Sequence, residues 1–185
     1  MPVLVLPGFM GSDLSTKPLR HALAEAGFAA HGWGLGMNFG VSAEMFAKID
    51  ALALEIAGAG TVALVGWSLG GVVARELAWA RPGKVAQVVT LGAPFSGDLR
   101  ANNAWRLYEW VTGHPVDQPP VPVRRGAKPP VPTTAIWSAK DGIVAAASAR
   151  GEAHESDRVI EVDCTHLGYM TCPKVAKVVA GVLGG

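Results

Sequence analysis

Residues 61–71 read T-V-A-L-V-G-W-S-L-G-G. The apolar run 61–65 predicts a buried strand, and residues 69–80 predict a helix that stops before Arg81-Pro82-Gly83. Between them stands Ser68, in the spacing Gly66-x-Ser68-x-Gly70. The spacing alone says little: 23 glycines in 185 residues give such a match by chance in about one chain in eight. Its context says more. A sharp strand-to-helix turn pushes the serine side chain outward, and the glycines leave room where neighbouring backbone passes close. The following helix start aims unsatisfied N–H groups at the same spot, which favours a developing negative charge.

Outward from this turn the pattern repeats. Residues 3–6 form a short apolar run stopped by Pro7-Gly8, and a helix is predicted over 17–27. Residues 28–33 read as a second strand. Ser42 caps a helix over 43–57, in which Met45, Ile49, Leu52 and Ile56 recur at helical spacing. Strands are expected at 85–91, 133–137 and 158–162, and a closing helix at 173–183. Apolar runs without strict alternation mark strands covered on both faces, and the βαβα order points to a parallel sheet. The expected fold is a three-layer α/β domain with about six mostly parallel strands.

The chain reads as one domain over residues 1–185. One segment breaks its rhythm. Residues 95–132 hold a short helix candidate (102–112, with Trp105, Leu107, Tyr108 and Trp110), followed by a proline-dense passage from Pro115 to Pro132. Prolines so dense do not build a central strand, so this is an insertion over the sheet edge. It reads as a cap or lid, with a stiff solvated loop as the bland alternative.

Composition narrows the function. Half the residues are hydrophobic, 17% are charged and the net charge is +1. No basic run exceeds Arg124-Arg125, so nucleic-acid binding is disfavoured. The apolar start lacks a basic region and is too short for a signal peptide or a membrane span, which leads to the expectation of a cytoplasmic protein. Cys164 and Cys172 make no disulfide scaffold. Two free thiols is the plain reading, with one local bridge around His166 as the alternative. No histidine and acid cluster has metal-ligand spacing, and the glycines near Ser68 lack a phosphate-loop lysine, so no metal or cofactor is expected.

A serine needs a base, and the base an orienting group. Of five histidines, His21 lies in a helix pattern, and His114 and His154 in polar or proline-rich loops. His166 follows the last predicted strand, in a loop at the carboxyl edge of the sheet where ligands bind. It is the favoured base, with His31 the best rival. Asp141, in the loop after strand 133–137, is the favoured acid over Asp163 and Asp98. An oxyanion hole calls for backbone donors: Leu69, next to the serine, and Phe9 in the loop P-G-F-M-G-S-D (7–13), with Met10 second. A plain turn there, with Ser12-Asp13 capping the next helix, is the alternative. Met10, Trp67, Trp105, Tyr108 and Trp110, together with Phe9, are candidates for an apolar acyl pocket, with core packing the equal alternative.

Together, L-P-G-F-M-G-S-D (6–13), V-G-W-S-L-G-G (65–71), T-L-G-A-P-F-S-G (90–97), S-A-K-D-G-I-V (138–144) and D-C-T-H-L-G (163–168) resemble the α/β-hydrolase superfamily, in particular its lipase and esterase-like branch. The order Ser68…Asp141…His166 is that of the superfamily. The resemblance implies a serine hydrolase acting on carboxylic esters, with thioesterase, amidase or acyltransferase chemistry on the same triad as alternatives. A catalytically dead binding module is the reading from another class. The oxyanion loop has Pro7-Gly8 where many members have His-Gly, and Trp67 replaces the common histidine before the serine. The chain starts at what would be the superfamily's third strand, so a minimal version of the fold is expected.

Overall fold

The computed structural model describes residues 1–97, 109, 123–124 and 126–185. A six-stranded sheet runs through it, in the order β2-β1-β3-β4-β5-β6 with every pair parallel. The strands are β1 (Pro2–Leu6), β2 (Ala29–His31), β3 (Val62–Trp67), β4 (Val85–Leu91), β5 (Thr133–Trp137) and β6 (Arg158–Glu161). Helices α1 (Asp13–Glu25), α2 (Ala43–Ala57) and α3 (Leu69–Ala80) connect the first four strands. Short α4 (Ala146–Arg150) and α5 (Gly168–Thr171) precede the closing α6 (Pro173–Gly184).

Alternation along the central strands divides the core. Val3, Val5, Val65, Val89 and Ile136 pack with Leu19 and Leu23 of α1 and Val175 and Val179 of α6. Leu4, Leu6, Leu64 and Val88 pack on the other face with Ile49 of α2 and Leu77 of α3. Every residue of β3 is buried, which is why its sequence reads as one apolar run. The three layers expected from the sequence are present.

Boundaries differ where tertiary contacts decide. Strand β3 extends past Val65, because Gly66 and Trp67 still pair with Thr90 and Leu91. Helix α1 starts at Asp13 rather than 17, since Ser12 caps it: its hydroxyl accepts from the Leu14 amide, while its own amide donates to Ser15 Oγ at 2.7 Å. Strand β2 stops before Trp33, whose amide donates to Asp13 Oδ1, and the Gly34 amide donates to Asp13 Oδ2 (both 2.9 Å). The expected helix 102–112, with Trp105, Tyr108 and Trp110, lies outside the described residues, as do Asp98 and His114.

Described residues at the two ends of the segment 95–132 are held on α3. The Arg75 guanidinium, 3% exposed, lies 4.0 Å from the Phe95 ring centroid and donates to the carbonyls of Ala127 (3.0 Å) and Glu155 (2.8 Å). Glu76 accepts from the Arg124 amide and guanidinium, and buried Glu155 accepts from the Gly126 and Glu152 amides. Burial lowers the pKa of Arg75 to about 10, opposed by the charges of Glu155 and Glu76, so it remains charged at neutral pH. Removing one partner of such a buried network strands the others. Arg75→Ala is therefore expected to lower the unfolding free energy by about 3–5 kcal/mol, read from urea denaturation.

Candidate active site

The register brings the ends of β1, β3, β4 and β5 to one edge, through the pairs Leu6↔Gly66, Trp67↔Leu91 and Leu91↔Ile136. Ser68 stands there between β3 and α3 with φ +54° and ψ −123°. A non-glycine residue in that region is strained and persists only where its surroundings impose it. Here they do: its amide donates to the Leu91 carbonyl at 2.8 Å, and its own carbonyl accepts from Gly71 at 2.9 Å. The glycines serve the turn as the sequence suggests. A Cβ on Gly66 would strike the Gly70 carbonyl, and one on Gly70 would strike the Leu6 carbonyl and meet Pro7 O at 2.7 Å.

Asp141 and His166 come together from loops 25 residues apart. Nδ1 of His166 lies 2.8 Å from Asp141 Oδ2 and 2.9 Å from Oδ1. The carboxylate is 5% exposed, and its Oδ1 also accepts from the amides of Ile143 (2.9 Å) and Val144 (2.7 Å). The His166 amide in turn donates to the Asp141 carbonyl at 3.0 Å. With Nδ1–H given to the carboxylate, Nε2 is the nitrogen left to accept a proton. Gly92, with φ +53°, lets β4 pass beside this pair: a Cβ there would meet Asp141 Oδ2 at 2.7 Å and strike the Tyr169 ring. Tyr169 is fully buried edge-on to the His166 ring, and burial, then the Asp141 charge, push its phenol well above the ordinary range.

The rivals sit elsewhere. His31 ends β2 but pairs with Leu4, two positions short of the β1 end at Leu6, and is exposed. His21 faces Glu25 on the surface of α1, and exposed His154 bonds the Gly126 carbonyl. Asp163 is 75% exposed in an ion pair with Lys140.

Gly8 brings the first loop beside the serine: a Cβ on it would lie 2.9 Å from Ser68 Cβ. Met10, with φ +58°, donates its amide to the Asn38 carbonyl at 2.6 Å, which removes the second candidate for an oxyanion donor. Its side chain is 49% exposed. Leu69 is the first residue of α3.

Trp67 requires a correction. It was expected among the acyl-pocket candidates, but it is 5% exposed and belongs to the core. Its indole Nε1–H donates to the His166 carbonyl at 3.0 Å, its ring lies 5.4 Å from the imidazole, and its edge packs under Gly8 and Gly11. It supports the histidine loop from below. Nothing local in the sequence signals this, since the partner is 99 residues away. Cys164 and Cys172 are both free thiols, and burial pushes the Cys164 thiol up to about 11. Among the described residues, no cluster of histidine, cysteine and acidic side chains could hold a metal ion, and no helix is long and apolar enough to cross a membrane.

This elbow-and-dyad arrangement on a parallel sheet defines a class. A family model for the alpha/beta hydrolase fold matches residues 4–121, and the chain belongs to that family. Solved structures with the same fold include a pyrethroid hydrolase from Sphingobium faniae JZ-2, at 20% identity and TM-score 0.70, covering 100% of this chain and 98% of that one. The methylesterase MES16 from Arabidopsis aligns at 15% identity and TM-score 0.69, covering 100% of both chains. A structure from the work on the metagenome-derived lipolytic enzymes LipS and LipT aligns at 17% and 0.68, covering 100% of this chain and 94% of that one. At these identities the likeness is one of fold. No curated protein matches the sequence.

Proposed function

We propose that the protein is a serine hydrolase that cleaves carboxylic esters through Ser68, His166 and Asp141. The observation that carries this reading is the buried His166–Asp141 hydrogen bond at the sheet edge where Ser68 is held at positive φ. Membership of the family and the esterases among its fold neighbours support a hydrolase.

In the proposed cycle, Ser68 Oγ attacks the ester carbonyl while its proton passes to His166 Nε2. Asp141 orients the imidazole and stabilises its charged form. The amides of Phe9 and Leu69 stabilise the oxyanion. Collapse of the tetrahedral intermediate expels the alcohol, which takes the proton from His166. Water, activated by the same histidine, then releases the acid. The exposure of Met10 on the loop beside the serine supports a role for it at the rim of an apolar acyl site.

The test is labelling of the full chain with a fluorophosphonate, followed by peptide mapping, alongside ester, thioester and anilide substrates that share one acyl group. The expected result is a single adduct on Ser68, with the ester turned over fastest. A folded protein that takes no adduct overturns the enzyme reading, and a faster thioester or anilide moves the activity to that class.

A further inference from the structure

Asn38 lies outside the proposed triad, yet it holds the loop that carries the proposed oxyanion donor Phe9. Its side chain is 1% exposed, and Nδ2 donates to the Pro7 carbonyl at 2.9 Å. Its backbone amide donates to the Gly11 carbonyl at 2.8 Å, and its carbonyl accepts from Met10 at 2.6 Å. Its Oδ1 accepts from Gly40 at 3.1 Å, which sets the face of the carboxamide that meets Pro7. One residue thus ties down Pro7, Met10 and Gly11, on both sides of Phe9.

The geometry of a trans peptide makes that bracket matter. The Phe9 N–H points opposite to the Gly8 carbonyl, because the two belong to one planar unit. The Gly8 carbonyl accepts from the Gly11 amide at 2.9 Å, so the direction of the Phe9 N–H depends on the Gly8–Gly11 turn. That turn contains two glycines and a Met10 at φ +58°, and such backbone holds its shape only when external bonds impose it. Oxyanion stabilisation needs donors aimed before the charge develops.

We propose that Asn38 is a positioning residue for the oxyanion hole: its carboxamide, bonded to Pro7, fixes the loop so that the Phe9 N–H meets the developing oxyanion. This rests on the serine-hydrolase reading above. The prediction is a loss confined to the transition state, leaving substrate binding and the His166–Asp141 pair untouched.

The experiment compares the wild type with Asn38→Asp and Asn38→Ala. The aspartate keeps the shape and the acceptor for Gly40 but removes the donor to Pro7; the alanine removes both. Steady-state kinetics use a p-nitrophenyl ester, and inhibition uses a trifluoromethyl ketone with the same acyl group. Ser68 Oγ adds to that ketone's carbonyl, its proton passes to His166, and the resulting oxyanion occupies the hole. In both variants kcat is expected to fall about ten- to a hundredfold and the inhibition constant to rise in parallel, with KM and the pH midpoint of kcat/KM unchanged.

Folded variants with wild-type kcat and inhibition constants overturn the inference while the triad reading stands. So does a loss that appears in KM alone, or a failure of both variants to fold, which makes Asn38 a folding residue only. A wild type that neither labels at Ser68 nor turns over esters removes the triad reading, and the role of Asn38 with it.

Discussion

Ser68→Ala is expected to lower kcat on a p-nitrophenyl ester by about 10⁶-fold, while the thermal midpoint stays close to that of the wild type. The size of the loss follows from the proposed covalent route. Without Oγ no acyl-enzyme forms, and His166, Asp141 and the loop amides are left with only direct attack by water to assist. The fold has little reason to change: the bonds that hold this turn run through the Ser68 amide and carbonyl, not its hydroxyl. Steady-state rates from preparations expressed in a host lacking background esterase measure the effect. Undiminished turnover in the alanine variant would assign the chemistry to another residue.

Asp141→Asn should cost about 10⁴-fold in kcat, and Asp163→Asn should leave the rate within about twofold. The asparagine retains an oxygen for the Ile143 and Val144 amides, so the loop keeps its shape. What it loses is the negative charge facing Nδ1. An NH₂ group offered there favours the tautomer with the proton on Nε2, which cannot accept the serine proton. The charge that stabilises the imidazolium disappears as well. Asp163 makes its ion pair with Lys140 in solvent, where screening leaves little energy in the contact. Kinetics on both variants at the pH optimum decide between the two acids; the opposite ranking would exchange their roles.

The two expectations draw on different layers of information. That Ser68 sits on an elbow was legible from Gly66, Gly70 and the apolar runs on either side, because a parallel strand buried on both faces leaves an unmistakable signature in one short window. The limits of α2, capped by Ser42, and of α3 were legible for the same reason: capping and periodicity are local. Strand β2 ends short of residue 33 because Asp13 takes the Trp33 and Gly34 amides some twenty positions away, whereas α1 begins at Asp13 through the local Ser12 cap, which the sequence offers only as an alternative. Asp141 meets His166 because β5 and β6 are neighbours in the sheet, which sets the loops after them side by side, while Asp163 turns out to Lys140.

Trp67 shows the boundary most clearly. In the sequence it is an aromatic beside the serine, equally suited to a pocket or to the core. The register of β3 against β4 turns its indole beneath the sheet edge and onto the His166 carbonyl. Asn38 and the Arg75–Glu155 network had no sequence signal at all, since an asparagine in a glycine-rich loop, an arginine on a helix and a glutamate in a distant loop are ordinary in isolation.

By itself, then, the sequence determined the layers, the parallel sheet and the elbow, because hydrophobic period, capping and glycine placement act over a few residues. Only the tertiary structure decided which acid meets His166, what Trp67 supports and what holds the Gly8–Gly11 turn. Each of those rests on a hydrogen bond between residues 25 to 99 positions apart, and such a bond exists only once the strands have set the loops side by side.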